Sequence, residues 1–247
     1  HRPHLRSPGP QHVRAGGPVP HTISIRLYRQ GLHNTPKVLH RTLQEQIDDI
    51  QPGECDAILL VYGLCGMSTV GLVARHTPLV IPRTHDCIAL YLGSHQRYQA
   101  EFDAHPGTYW YSLDFLERSE PGSNAGLGAT NLGAMDDVYE EYVEKYGQDN
   151  ADYLMEVMGE WSKHYERAVF IDMGTGDGHE FEERARDDAQ RRGWIYERKQ
   201  GDMRLLKMLA DGEWNDDEFL IVPPGHAIHQ TGQDGLIAAV KVDGTSD

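Results

Sequence analysis

The chain has 247 residues, enough for one large α/β domain or two small ones with a real core. Its formal charge of −15, from 38 Asp and Glu against 23 Lys and Arg, argues against nucleic acid or an anionic membrane as a partner, because both need a basic footprint. No apolar run approaches the roughly 20 residues of a membrane span, and three cysteines, an odd number, argue against a disulfide scaffold.

Residues 1–20 are rich in Pro, Gly, Arg and His and are expected to be a disordered or appended tail. They show no apolar core of a signal peptide, so a cytoplasmic location is expected. The fold is expected to begin at 22–27, T-I-S-I-R-L, a short strand by alternation and β-branching. Thr35-Pro36 then opens a helix, with Thr as N-cap and Pro in its first turn. Leu39, Leu43, Ile47 and Ile50 recur at helical spacing and form its core stripe. Pro52-Gly53 ends it. Cys55, at the entry of the next strand, reads as a small core residue.

Two apolar runs follow, 57–61 and 79–81, and read as buried strands. Each ends in a cysteine-bearing loop, Y-G-L-C-G with Cys65 and R-T-H-D-C with His85, Asp86 and Cys87. A single helix is expected over 88–102, with His95 and Arg97 on its solvated side. T-Y-W-Y at 108–111 is an aromatic strand, more simply core than a stacking wall for a flat ligand. A polar, glycine-rich loop at 117–133 and acidic helical segments at 135–146 and 151–165 come next.

A third buried strand, A-V-F-I at 168–171, runs into D-M-G-T-G-D-G at 172–178. A charged helix over 179–192, a strand over 194–197, a helix over 202–210 and a strand over 219–222 complete the pattern. The last strand ends in P-P-G-H-A-I-H, a rigid turn that presents His226. Alternating strands and helices favour a three-layer, Rossmann-like α/β architecture with a mostly parallel sheet. The expected division is into two similar halves, 21–150 with the Cys/His loops and 151–247.

In a parallel sheet the four loops that follow the strands share one edge, where ligands bind. Cys65, His85 and Cys87 are soft and borderline donors suited to zinc or another thiophilic metal, with one position left open. Asp86, Asp172 and His226 are candidates for moving protons or supporting the ligands. The alternatives are a buried thiol with a hydrogen-bonded loop histidine, and a metal-free thiol nucleophile at Cys65 or Cys87, which a reversible disulfide would join. The run after Asp172 resembles the first motif of S-adenosylmethionine-dependent methyltransferases. That resemblance implies that Gly174, Gly176 and Gly178 approach a cofactor and that Glu197, at the end of the next strand, meets its ribose. Too few strands follow Asp172 to complete that domain.

Three longer stretches resemble one prokaryotic family, domain of unknown function 1638. They are D-A-I-L-L-V-Y-G-L-C-G, then P-L-V-I-P-R-T-H-D-C-I-A-L-Y-L-G-S with P-G-T-Y-W-Y, and G-D-M-R-L-L-K-M-L-A-D-G-E-W followed by F-L-I-V-P-P-G-H. The resemblance implies that Cys65, His85, Asp86 and Cys87 hold the family's most distinctive positions. It also implies a setting: members are often encoded near corrinoid-dependent methyltransferases. The functional expectation is a zinc-type enzyme or metal-binding protein acting on a small molecule in one-carbon, methyl or sulfur transfer. The alternatives are an S-adenosylmethionine-dependent methyltransferase, a non-catalytic corrinoid-binding or accessory partner of a methyltransferase, and a metal-free thiol enzyme.

Overall fold

The computed structural model describes residues 21–28, 32, 35–117, 148, 164–232 and 236–242. The tail at 1–20, the acidic segment at 135–146 and the expected division near residue 150 lie outside them. So do the loop at 117–133 and the segment at 151–165, save for residues 117, 164 and 165. The architecture is α/β, and the chain divides into two compact units. One comprises His1–Val61, Gly66–Arg83 and Leu206–Asp247; the other comprises Tyr62–Cys65 and Thr84–Leu205.

In the first unit, α1 (Pro36–Asp48) starts where Thr35-Pro36 predicts and buries Leu39, Leu43 and Ile47, one residue per turn. Thr35 does not cap with its side chain; its hydroxyl donates to Leu32 O instead. Residues 22–27 form no strand, and only Ile25 makes a β-bridge. A short alternating run held at a single bridge cannot form a strand against chain entropy. Cys55 is exposed rather than core, because its strand begins three residues later.

That unit holds a mixed sheet, β1–β2–β6. β1 (Ile58–Leu59) and β2 (Leu79–Pro82) are parallel, with Ile58 opposite Leu79. β6 (Phe219–Val222) runs antiparallel to β2, with Phe219 opposite Pro82 and Val222 opposite Leu79. This corrects the expectation that all four strand-following loops share one edge. The turn after β6 leaves its sheet where β2 begins, not where β2 ends. Only residues 223–225 form the turn; His226 already opens β7 (His226–Gln230), which pairs antiparallel with β8 (Ile237–Lys241).

The second unit is built on a fully parallel sheet of β3 (Thr108–Ser112), β4 (Arg167–Asp172) and β5 (Ile195–Gln200), with β4 central. Strand alternation sends side chains to opposite faces. Tyr109, Tyr111, Ala168 and Phe170 pack with Ala185 and Ala189 of α5 (His179–Arg192) and Leu116 of α4 (Leu113–Glu117). Trp110, Val169 and Ile171 pack on the other face with Ile88 and Leu92 of α2 (Cys87–Leu92) and with Tyr98 of α3 (His95–Ala104). The aromatic strand is therefore core.

The single helix expected over 88–102 is two helices. Gly93 closes α2 in the left-handed region at φ 71°, and Ser94 caps α3 by accepting from Arg97 N. A side chain at Gly93 would also strike Asp202, with its Cβ 2.6 Å from that of Asp202. The last helix, α6, spans Arg204–Asp211, and Arg204 donates to Gly93 O at 3.0 Å.

Two buried polar networks lock the parallel sheet. Tyr111 donates to Asp188 at 2.6 Å, and Arg191 and Arg192 both pair with that carboxylate at 3.0 Å. Arg167 pairs with Glu101 and with Glu197 across to β5. Glu197 thus sits inside its strand, which runs on to Gln200, and its carboxylate is occupied by Arg167. This corrects its expected place at a strand end.

Candidate functional site

Cys65, His85, Asp86 and Cys87 all fall in the second unit, and the backbone brings their two loops side by side. Leu64 N donates to Thr84 O and Cys65 N to His85 O, each at 3.0 Å. The pairing requires glycine at 63. A Cβ there would lie 2.7 Å from Thr84 O, 2.8 Å from Thr84 Oγ1 and 2.9 Å from Asp86 N. Cys65 itself takes a left-handed conformation, φ 42°, at a cost of roughly 1–2 kcal/mol for a residue with a Cβ.

Asp86 is the N-cap of α2, and its Oδ1 accepts from Ile88 N at 2.9 Å. Cys87 is the first residue of that helix. The Cys65 sulfur accepts from the backbone N–H groups of Gly63 and of Cys87, so it rests against the start of α2. Cys65 and Cys87 are free and half-buried, Asp86 is half-buried and His85 is exposed.

Burial dominates the electrostatics. It pushes the Cys65 thiol up to about 11, and the nearby Asp86 charge adds to this against the two N–H donors. Burial, then the charges of Cys65 and Asp86, raises Cys87 well above the ordinary thiol value. Burial raises Asp86 too, opposed by hydrogen bonds from Tyr98 and from the Ile88 and Ala89 N–H groups. Unligated, the pair rests as neutral thiols. A bound cation would reverse this balance, since a coordinating thiol gives up its proton.

Two further residues belong to this neighbourhood. His95, in the first turn of α3, sets its ring centroid 5.6 Å from that of His85, tilted by 47°. It is half-buried, which corrects its expected solvated position. Tyr98, one turn on, gives its hydroxyl to Asp86. Ser94 was the available signal: as a cap it starts a new helix and turns His95 and Tyr98 to one side. On the sheet side, Cys87, Tyr91 and Met173, the residue after β4, all pack against the cluster of Ile88, Leu92, Trp110, Val169 and Ile171, and Tyr91 donates to Asp114 at 3.4 Å. The thiol loop therefore reaches the carboxyl edge of the parallel sheet.

The glycine run leaves that edge between β4 and α5. Gly174 and Gly176 are left-handed, at φ 67° and 72°, and Gly178 is the N-cap residue of α5. Asp172 staples the run: it accepts from Gly174 N at 2.8 Å and pairs with Arg198 at 2.6 Å. Those two partners hold its carboxyl below the usual carboxylate range. His226 lies in the other unit, half-buried at the start of β7, with its Nδ1 3.1 Å from Pro224 O. His179 and Glu183, i and i+4 on α5, stand 3.7 Å apart and are solvent-exposed.

The donor types at Cys65, Cys87 and His85 suit a thiophilic ion. The two thiols are neighbours, yet among the described residues no group of three or more His, Cys, Asp or Glu side chains is gathered as a metal site. No helix of the described residues is long and apolar enough to cross a membrane. The sequence model of a family described as "Protein of unknown function (DUF1638)" matches residues 27–210. No curated protein and no solved structure matches the chain.

Proposed function

This chain belongs to the DUF1638 family, and from that premise we propose that its Cys65–Cys87 pair is a soft-centre site, which captures a thiophilic metal, most simply zinc, for chemistry on a small molecule. The reading is carried by one observation: the Cys65 sulfur accepts from the Cys87 N–H, which makes neighbours of two thiols 22 positions apart in the chain. Cys65 and Cys87 would supply thiolates, His85 an imidazole, and Asp86, fixed by Tyr98 and the start of α2, a carboxyl to hold or release a proton. The bound ion would keep both thiols ionised at neutral pH and act as a Lewis acid. One-carbon, methyl or sulfur transfer is the proposed class of reaction, and it rests on the family setting.

We also propose the finer architecture, a three-layer Rossmann-like unit around β3–β5, supported by helices on both faces of a parallel sheet.

The test is elemental analysis of the protein without residues 1–20, whose histidines could bind metal, beside Cys65→Ser and Cys87→Ser. About one ion per chain, lost in both variants, is the expected result. Folded protein that takes up no metal overturns the reading. Co-purification with a corrinoid protein or methyltransferase, with no turnover alone, would instead mark an accessory role.

A second reading is favoured by the left-handed glycines between a parallel strand and a 14-residue helix. There, Gly174, Gly176 and Gly178 would carry S-adenosylmethionine. Calorimetry with that cofactor tests it. Gly176→Val should abolish binding, since φ 72° and a Leu113 methyl 3.1 Å from the new Cβ leave valine no room. No heat with the wild type rejects it.

A further inference from the structure

The thiol pair has a property that neither ligand reading uses. Backbone bonds from Leu64 and Cys65 to Thr84 and His85, both 3.0 Å, clamp the two cysteine loops together. The Cys65 sulfur points at the amide of Cys87. Cys65 and Cys87 are each of intermediate exposure, whereas Cys55 is exposed.

We propose that Cys65 and Cys87 are a dithiol–disulfide exchange site whose substrates are low-molecular-weight disulfides of the glutathione type. Disulfide formation needs two Cβ atoms roughly 4 Å apart. The backbone pairing of Cys65 with His85, two residues before Cys87, holds the two cysteines on adjoining loops. The inference uses the residues of the proposed metal site but does not rest on a metal being bound there.

The exchange balances in two steps. A thiolate of the pair, say Cys65, attacks one sulfur of RSSR; the Cys65–SR bond forms, the S–S bond of the reagent breaks, and RS⁻ leaves. Cys87 then loses its proton to solvent, and its sulfur attacks that of Cys65. The Cys65–Cys87 bond forms, the Cys65–SR bond breaks, and a second RS⁻ leaves. Two protein thiols are oxidised and one RSSR is reduced to two thiols. Excess RSH reverses the sequence. The oxidised pair has no free thiolate, so the same reaction would switch off capture of a soft centre.

The test uses the full chain, stripped of metal by a chelator and incubated with glutathione disulfide. Thiols are then blocked, and the intact protein and its peptides are read by mass spectrometry. The expected wild-type product yields a peptide cross-linked between Cys65 and Cys87, lighter by two hydrogens than its two thiol peptides together, while Cys55 carries glutathione or the blocking group. Cys65→Ser and Cys87→Ser should each retain one glutathione on the remaining partner, because nothing resolves the mixed disulfide. Cys55 serves as the exposed single-thiol control. Wild-type protein that carries glutathione on both cysteines, or that leaves both unmodified while Cys55 reacts, overturns the proposal. The wild-type map decides the matter even if a variant does not fold. Because metal is absent throughout, the outcome is independent of whether zinc binds.

Discussion

Cys65 carries most of the chemistry assigned to this protein, and its environment sets how it should behave. Its sulfur meets two N–H donors, but burial and Asp86 outweigh them and push the thiol up to about 11. In metal-free protein, alkylation of Cys65 by iodoacetamide should therefore climb about tenfold per pH unit through pH 8–10 and level off only near 11. Asp86→Asn removes a neighbouring negative charge and should move that rise to lower pH. A rate profile levelling near the ordinary thiol value would contradict the burial argument. Gly63 is the second exacting position. Gly63→Ala places a Cβ 2.7 Å from Thr84 O, so the two loops must separate. The expected result is loss of the Cys65–Cys87 cross-link while the parallel sheet stays folded, read by peptide mapping and circular dichroism.

Among the elements, the break between α2 and α3 sets His95 beside His85. Gly93→Ala forces a side chain into a left-handed position and against Asp202. It should cost about 2 kcal/mol in urea denaturation. A neutral result would mean that the break is not required. Across the sheet, Tyr111 ties β3 to α5 through Asp188. Tyr111→Phe removes one of three partners of a buried carboxylate and should cost roughly 1–2 kcal/mol by the same measurement. Arg191 and Arg192 still hold Asp188, which limits the loss.

For the molecule as a whole, ionisation of buried groups predicts an alkaline limit. Burial raises Tyr28, Tyr91, Tyr98, Tyr111, Tyr165 and Tyr196 above the ordinary tyrosine value of 10.0, as it does Cys65 and Cys87 above 9.0. These groups keep their protons in the folded state at pH values where the unfolded chain has begun to lose them. Stability conferred by the protonated forms is then complete below about pH 9 and falls as pH rises further. The urea midpoint should be level from pH 7 to 8.5 and drop steeply toward pH 11. A flat midpoint across that range would refute the assignment of these side chains to the interior.

Much of this was readable from residue order. The helix stripe Leu39, Leu43, Ile47, the buried strands at 79–81 and 168–171, the helix over 179–192 and the cysteine-bearing loops at Cys65 and Cys87 follow from periodicity, caps and the loops that end apolar runs, all of which are local properties. What local patterns do not carry is pairing direction and close approach. β6 reads as one more buried strand, but its antiparallel pairing with β2 takes the His226 turn to the other end of that sheet. Gly93 reads as a tolerable helix glycine until Asp202, 109 positions away in the chain, occupies the space of its absent side chain. His95 looks solvated on a continuous helix and meets His85 only because the helix breaks. Hydrophobic pattern specifies which residues go inside, whereas strand direction and contacts between distant segments depend on which surfaces meet, and that is a property of the folded chain.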